Sequence, residues 1–142
     1  MKKLINISFI YFILAMIAGV FYREFTKFFD FTGKTTLAFA HTHLLTLGTI
    51  VFLILALFSI HTDLLSQKKF SLFLKIYNIA LPFMIINMIV RGIVQVLNIN
   101  ISNGLNASIS GLSGIAHILI FASFLILFST LKSLNVDKNN KQ

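Results

Sequence analysis

The sequence predicts an all-α integral membrane protein, a four-helix bundle with both termini in the cytoplasm. Three observations carry this expectation. Of the 142 residues 57% are hydrophobic and only 11% are charged, well below the roughly 25% charge of soluble domains. The mean hydropathy is +0.90. Four apolar runs, at about 4–22, 35–60, 72–98 and 107–131, each reach the roughly 20 residues that an α-helix needs to cross a hydrocarbon core about 30 Å thick. Together they take up most of the chain, which is read as one domain over 1–142.

The first run, Leu4 to Tyr22, follows Met1-Lys2-Lys3 in the manner of a signal peptide. Its apolar length exceeds the usual core of about 7–15 residues, and no small-x-small cleavage site precedes Arg23, so it is expected to stay as a helix. The segment after it carries Arg23, Lys27 and Lys34 together with Phe25, Phe28, Phe29 and Phe31, side chains that suit the membrane–water interface. Lys2, Lys3, Lys68, Lys69, Lys75, Lys132, Lys138 and Lys141 fall at the opposite ends of the runs. The positive-inside rule then places both termini in the cytoplasm, with the second and fourth helices running inward. The formal charge of +8 is therefore read as topogenic charge, not as a nucleic-acid surface, and the expected surroundings are the lipid of a bacterial cytoplasmic (inner) membrane.

The chain has no Cys, which excludes disulfides, thiolate zinc sites and iron–sulfur clusters. Ionisable groups inside a span are costly and mark function by default. They are few. His41 and His43 in the second run, His117 in the fourth and Arg91 in the third all fall in the outer half of the expected bilayer. His61 lies beside Asp63 at the cytoplasmic end, where an interfacial or capping role suits it. Residues two apart on an α-helix point about 200° apart, so His41 and His43 cannot hold one ion from an unbroken helix. Each must look into a different compartment, or one must bind while the other hydrogen-bonds.

Gly48, below His41, leaves room for a flat ring or another helix to approach the backbone. In the fourth run Ser110, Gly114, His117 and Phe121 share a face, which fits close helix packing or the edge of a haem. In the third, Met84, Asn87, Arg91, Gln95 and Asn98 form a polar stripe. It reads either as a wall of interhelical hydrogen bonds or, at Arg91, as a clamp for an anion such as a haem propionate. Pro82 is expected to kink this helix. Arg23 beside Glu24 is a second clamp candidate, or an interfacial ion pair.

Neutral imidazole suits iron, copper, zinc and nickel. Histidines facing each other across an apolar bundle can hold a b-type haem without covalent attachment. Phe39-Ala40-His41-Thr42-His43-Leu44-Leu45-Thr46-Leu47-Gly48 resembles the His-x-His segment in the tenth helix of subunit I of the haem-copper oxidases, where the two histidines serve two haems on opposite sides of one helix. That resemblance implies haem ligation by His41 and His43. It does not extend to the copper-ligating histidine pair, the crosslinked tyrosine or the acidic proton-entry residues, so oxygen reduction and proton pumping are not expected. The whole chain is similar to a family of four-helix bacterial membrane proteins known as a domain of unknown function, through Phe21-Tyr22-Arg23-Glu24-Phe25, His41-Thr42-His43 and Gly111-Leu112-Ser113-Gly114-Ile115-Ala116-His117.

The expected function is a membrane haem b protein that transfers electrons or binds a diatomic gas, with metal ligands among His41, His43 and His117 and with Arg91, Gly48, Gly114 and Arg23 around the cofactor. The alternative is a non-redox protein that handles copper or haem, or a small channel with a histidine-lined path. Because His-x-His looks in two directions, a homotrimer is expected, the His41 side of one copy facing the His43 side of the next. The competing arrangement is a monomer or dimer with one haem between His117 and either His41 or His43.

Overall fold

In the computed structural model, which describes residues 1–134, four long helices follow one another: α1 (Lys2–Phe28), α2 (Leu37–His61), α3 (Lys68–Val96) and α4 (Asn103–Lys132). A single 3₁₀ turn, Leu64–Ser66, links α2 to α3. Lys138 and Lys141, which entered the charge argument, lie outside the described residues. All four helices are long and apolar enough to cross a membrane.

Helices α1 and α4 overrun their apolar runs at both ends, because hydropathy marks the edge of the bilayer, not the end of backbone hydrogen bonding. By contrast, α2 starts two residues inside its run and α3 ends two residues inside its own. Past Tyr22, α1 continues through Arg23, Glu24 and Lys27, so Phe25 and Phe28 belong to the helix instead of to a loop. Phe21, Phe25 and Phe29 pack successively along its outer end, at centroid distances of 5.0 and 4.9 Å. Its stop, like that of α3, is a left-handed residue. Asp30 has φ 47° and Asn98 has φ 48°. The following amides close the last turn, Phe31 N–H onto Thr26 O and Ile99 N–H onto Val94 O. Asp and Asn tolerate this conformation better than other side chains with a Cβ.

In the packing order α1 lies on α2, α2 on α3 and α3 on α4. Helices α1 and α3 meet across an apolar groove lined by Tyr11, Ala18, Leu44, Pro82 and Ile85. A second apolar groove separates α2 from α4, between Val51, Ile54 and Phe58 on one wall and Phe124 and Phe128 on the other. At the centre the buried ring of Tyr77 touches those of Phe52, Phe73 and Phe124, joining three helices in one cluster. Pro82 lies inside α3, which runs through it without a break.

Helix α2 is not uniform. Leu44–Ile50 is wound as a π-helix between two α-helical parts, and the Val51 amide bonds Thr46 O, five residues back. Returning from i−5 to i−4 bonding skips a carbonyl acceptor, and neighbouring hydroxyls find carbonyls there. Tyr77 Oη donates to Leu47 O (2.9 Å) and Ser8 Oγ to Thr49 O (2.9 Å).

Candidate functional site

The N-terminal end of α2, the outer end in the expected topology, is tied to α3 by Thr35 and Thr36. Thr35 Oγ1 donates to Gly92 O (3.1 Å), Thr36 Oγ1 to Met88 O (2.7 Å), and the Thr36 amide to Gln95 Oε1 (2.8 Å). These bonds need the two backbones close together. A Cβ on Gly92 would lie 2.6 Å from Leu37 N, so Gly92 is required for the contact. The same stretch of α3 is tied to α4, where the Arg91 guanidinium donates to Asn106 Oδ1, Asn106 O and Ser110 Oγ.

These ties fix depth. His43 lies seven residues inward from Thr36 and His117 seven inward from Ser110, which is about 10 Å at 1.5 Å per residue. Both anchors hold the Met88–Gln95 stretch of α3, so His43 and His117 lie in one layer. His41 is two residues shallower.

The three histidines share a tautomer. The Nδ1–H of His41 donates to Ala15 O (2.9 Å), that of His43 to Phe39 O (2.8 Å) and that of His117 to Ser113 O (2.7 Å). A carbonyl can only accept, so Nδ1 carries the proton, and in the neutral ring Nε2 keeps its lone pair. A backbone carbonyl on one nitrogen is the usual way a metal-binding histidine is oriented. The settings differ. His41 is half-buried against α1, beside Gly19, where a Cβ would come 3.1 Å from its Nδ1. His43 and His117 bond only within their own helices; His43 is half-buried and His117 is exposed. Among the described residues no three His, Asp or Glu side chains converge on a possible metal position, so the histidines do not form one three-ligand site.

The remaining candidates separate. At Gly48 the close approach is made by another helix: a Cβ there would lie 2.6 Å from Tyr11 Cβ and Cγ. Gly114 is open, with nothing within 4 Å of a Cβ. Arg23 forms an exposed ion pair with Glu24 near the C-terminal end of α1. Much of the polar stripe on α3 forms hydrogen bonds, Asn87 to Phe83 O within α3 and Gln95 and Arg91 to the neighbouring helices. Among the described residues no carboxylate pairs with Arg91. Two site features escaped the sequence reading: Gly92, hidden beside Arg91 in the polar stripe, and the hydroxyls of Thr35 and Thr36, whose clustering at a helix start was the available signal.

Four helices long and apolar enough to cross a membrane, with a buried aromatic centre, fit a multi-pass helical membrane protein of the four-helix class. The chain matches the family described as "Protein of unknown function (DUF2871)" over residues 1–134 and belongs to it. No curated protein and no solved structure matches the chain.

Proposed function

We propose that the protein is a b-type haem-binding protein of a bacterial cytoplasmic membrane, serving electron transfer or the binding of a diatomic gas. The observation that supports this best is the common state of its outer-half histidines: each has Nδ1–H held by a carbonyl and Nε2 free to ligate. A free imidazole lone pair in an apolar layer is costly unless it is used. The rest of the donor set fits the group. No thiol is present, the walls are aliphatic and aromatic, and Arg91 offers a cation that no described carboxylate neutralises. Haem, when bound, would supply a one-electron couple or a gas-binding iron. The resemblance of His41-Thr42-His43 to the oxidase segment agrees with haem binding, and a homotrimer with its pocket between copies is the alternative assembly to a haem held within one chain.

A reduced-minus-oxidised optical spectrum of the protein expressed with ample haem tests the proposal. Paired visible bands and a strong Soret peak are expected. A colourless protein would favour the non-redox reading, copper or haem handling or a polar path, to which neutral imidazoles are equally suited. Orientation is tested in the same preparation with single cysteines, Asn103→Cys labelling from outside and Ser66→Cys from inside.

A further inference from the structure

We propose that the haem seat is the groove between α2 and α4 of a single chain, with His43 and His117 as its two nitrogen ligands, Arg91 as its carboxylate partner and His41 as a structural residue. This rests on the haem reading above and assigns its ligands.

Helical periodicity turns both rings toward the same groove. On α4, residues seven and eleven apart share a face. His117 therefore shares one with Phe124 and Phe128, which form the α4 wall of the groove opposite Val51, Ile54 and Phe58 of α2. Seven residues outward on that face is Ser110, which receives Arg91 from α3. On α2, His43 lies between Thr36, which bonds α3, and Leu47, whose carbonyl takes the hydroxyl of Tyr77. The Tyr77 ring in turn packs on Phe124 of α4, at 5.5 Å. His43 thus lies on the side of α2 turned to α3 and α4. With Thr42, Thr46 and Leu47, all on α2, it lines a separate hollow of about 230 Å³ on that helix, N-terminal to the apolar groove.

Depth agrees with direction, since His43 and His117 occupy one layer. Each has spent its Nδ1–H on its own helix and has no bond to a neighbouring one. Arg91 stands about 10 Å outward of His117 at 1.5 Å per residue, a span of the order of that from the centre of the macrocycle to the end of a propionate arm. Its donors rest on neutral Asn106 and Ser110, which leaves its charge available for an anion. His41 differs on each count, being turned to α1, bonded across helices to Ala15 and seated against Gly19. A pocket between copies built on His41 would have to reach its Nε2 past α1, whereas the α2–α4 groove is already open.

Titration of the purified full-length protein in detergent with hemin, followed by absorbance and native mass spectrometry, tests the seat. The wild type is expected to load one haem per chain in the monomer with a low-spin, six-coordinate spectrum. His43→Ala and His117→Ala should each lose that spectrum and weaken loading on the order of tenfold or more, while His41→Ala keeps both. His117→Met guards against misfolding: it should still load hemin but raise the midpoint potential, as Met/His ligation does. Low-spin loading that survives His117→Ala and fails in His41→Ala would overturn the assignment, as would haem found only in oligomers. A wild type that takes up no hemin would overturn the haem reading itself, and the seat with it.

Discussion

The seam between α1 and α2 and the groove between α2 and α4 are built from similar residues and reach opposite ends. At the seam, Gly48 receives the Tyr11 side chain, Gly19 receives His41, and Ser8 donates across to Thr49 O. Backbones come close there, and polar groups find partners on the other helix. Toward α4, nothing approaches a Cβ built on Gly114, and His43 and His117 return their protons to carbonyls four residues back on their own helices. In a bilayer, water does not compensate unused groups. Polar groups satisfied only locally, beside a glycine without a neighbour, mark the side with binding capacity to spare; the sealed side has used its own.

The largest expected effect separates the two kinds of glycine. Gly48→Leu forces a side chain into Tyr11 and should cost about 1–3 kcal/mol of helix-association stability, the usual range for overpacking, read by unfolding in mixed micelles. Gly114→Leu should stay within about 0.5 kcal/mol, as surface substitutions do. Equal losses would mean that the groove is filled in the folded protein and would remove the contrast.

The histidines give the next effect. His41→Ala deletes an interhelical hydrogen bond, a change that averages about 0.6 kcal/mol and reaches about 1.7 kcal/mol in membrane proteins. His43→Ala, which loses only a bond to its own helix, should be close to neutral in apo protein. The order should reverse in hemin affinity. Stability losses in the other order would place His43, not His41, at the structural contact.

A separate effect concerns the frame that levels His43 with His117. Asn98 ends α3 in the left-handed region, about one turn beyond Gln95 and two beyond Arg91. Replacement by Val should cost about 1–2 kcal/mol, the penalty for a Cβ in that conformation, and Gly should be tolerated. Tolerance of Val would show that this cap does not hold the outer end of α3.

Much of this arrangement is legible in the sequence. Four apolar runs suffice for four helices, and a 200° separation suffices to part His41 from His43. Other features depend on partners distant in the chain. Gly48 reads as a notch of unknown occupant until Tyr11, in another helix, is placed against it. The role of Gly92 depends on Leu37, and the anchoring of the start of α2 on hydroxyls reaching into α3. The end of α1 was misjudged at Tyr22 because Arg23, Glu24 and Lys27 leave the lipid without leaving the helix. Which histidine faces open space follows from the order in which the helices pack, which no local pattern encodes.

The winding of α2 also bears on what its histidines can be. A π turn amounts to one residue inserted into an α-helix, and one residue is about 100° of azimuth. The stretch Leu44–Ile50 therefore acts as a phase offset between the outer segment with His41 and His43 and the inner segment with Val51, Ile54 and Phe58. With even winding, the inner segment could keep its apolar wall on the groove only if the outer segment were rotated by that angle, and His43 would then look elsewhere. The letters His-Thr-His set only the angle between two imidazoles. Their bearing relative to the rest of the bundle is set by a backbone defect that Tyr77 and Ser8 hold in place, so an identical triplet on an evenly wound helix would present a different nitrogen to the same groove.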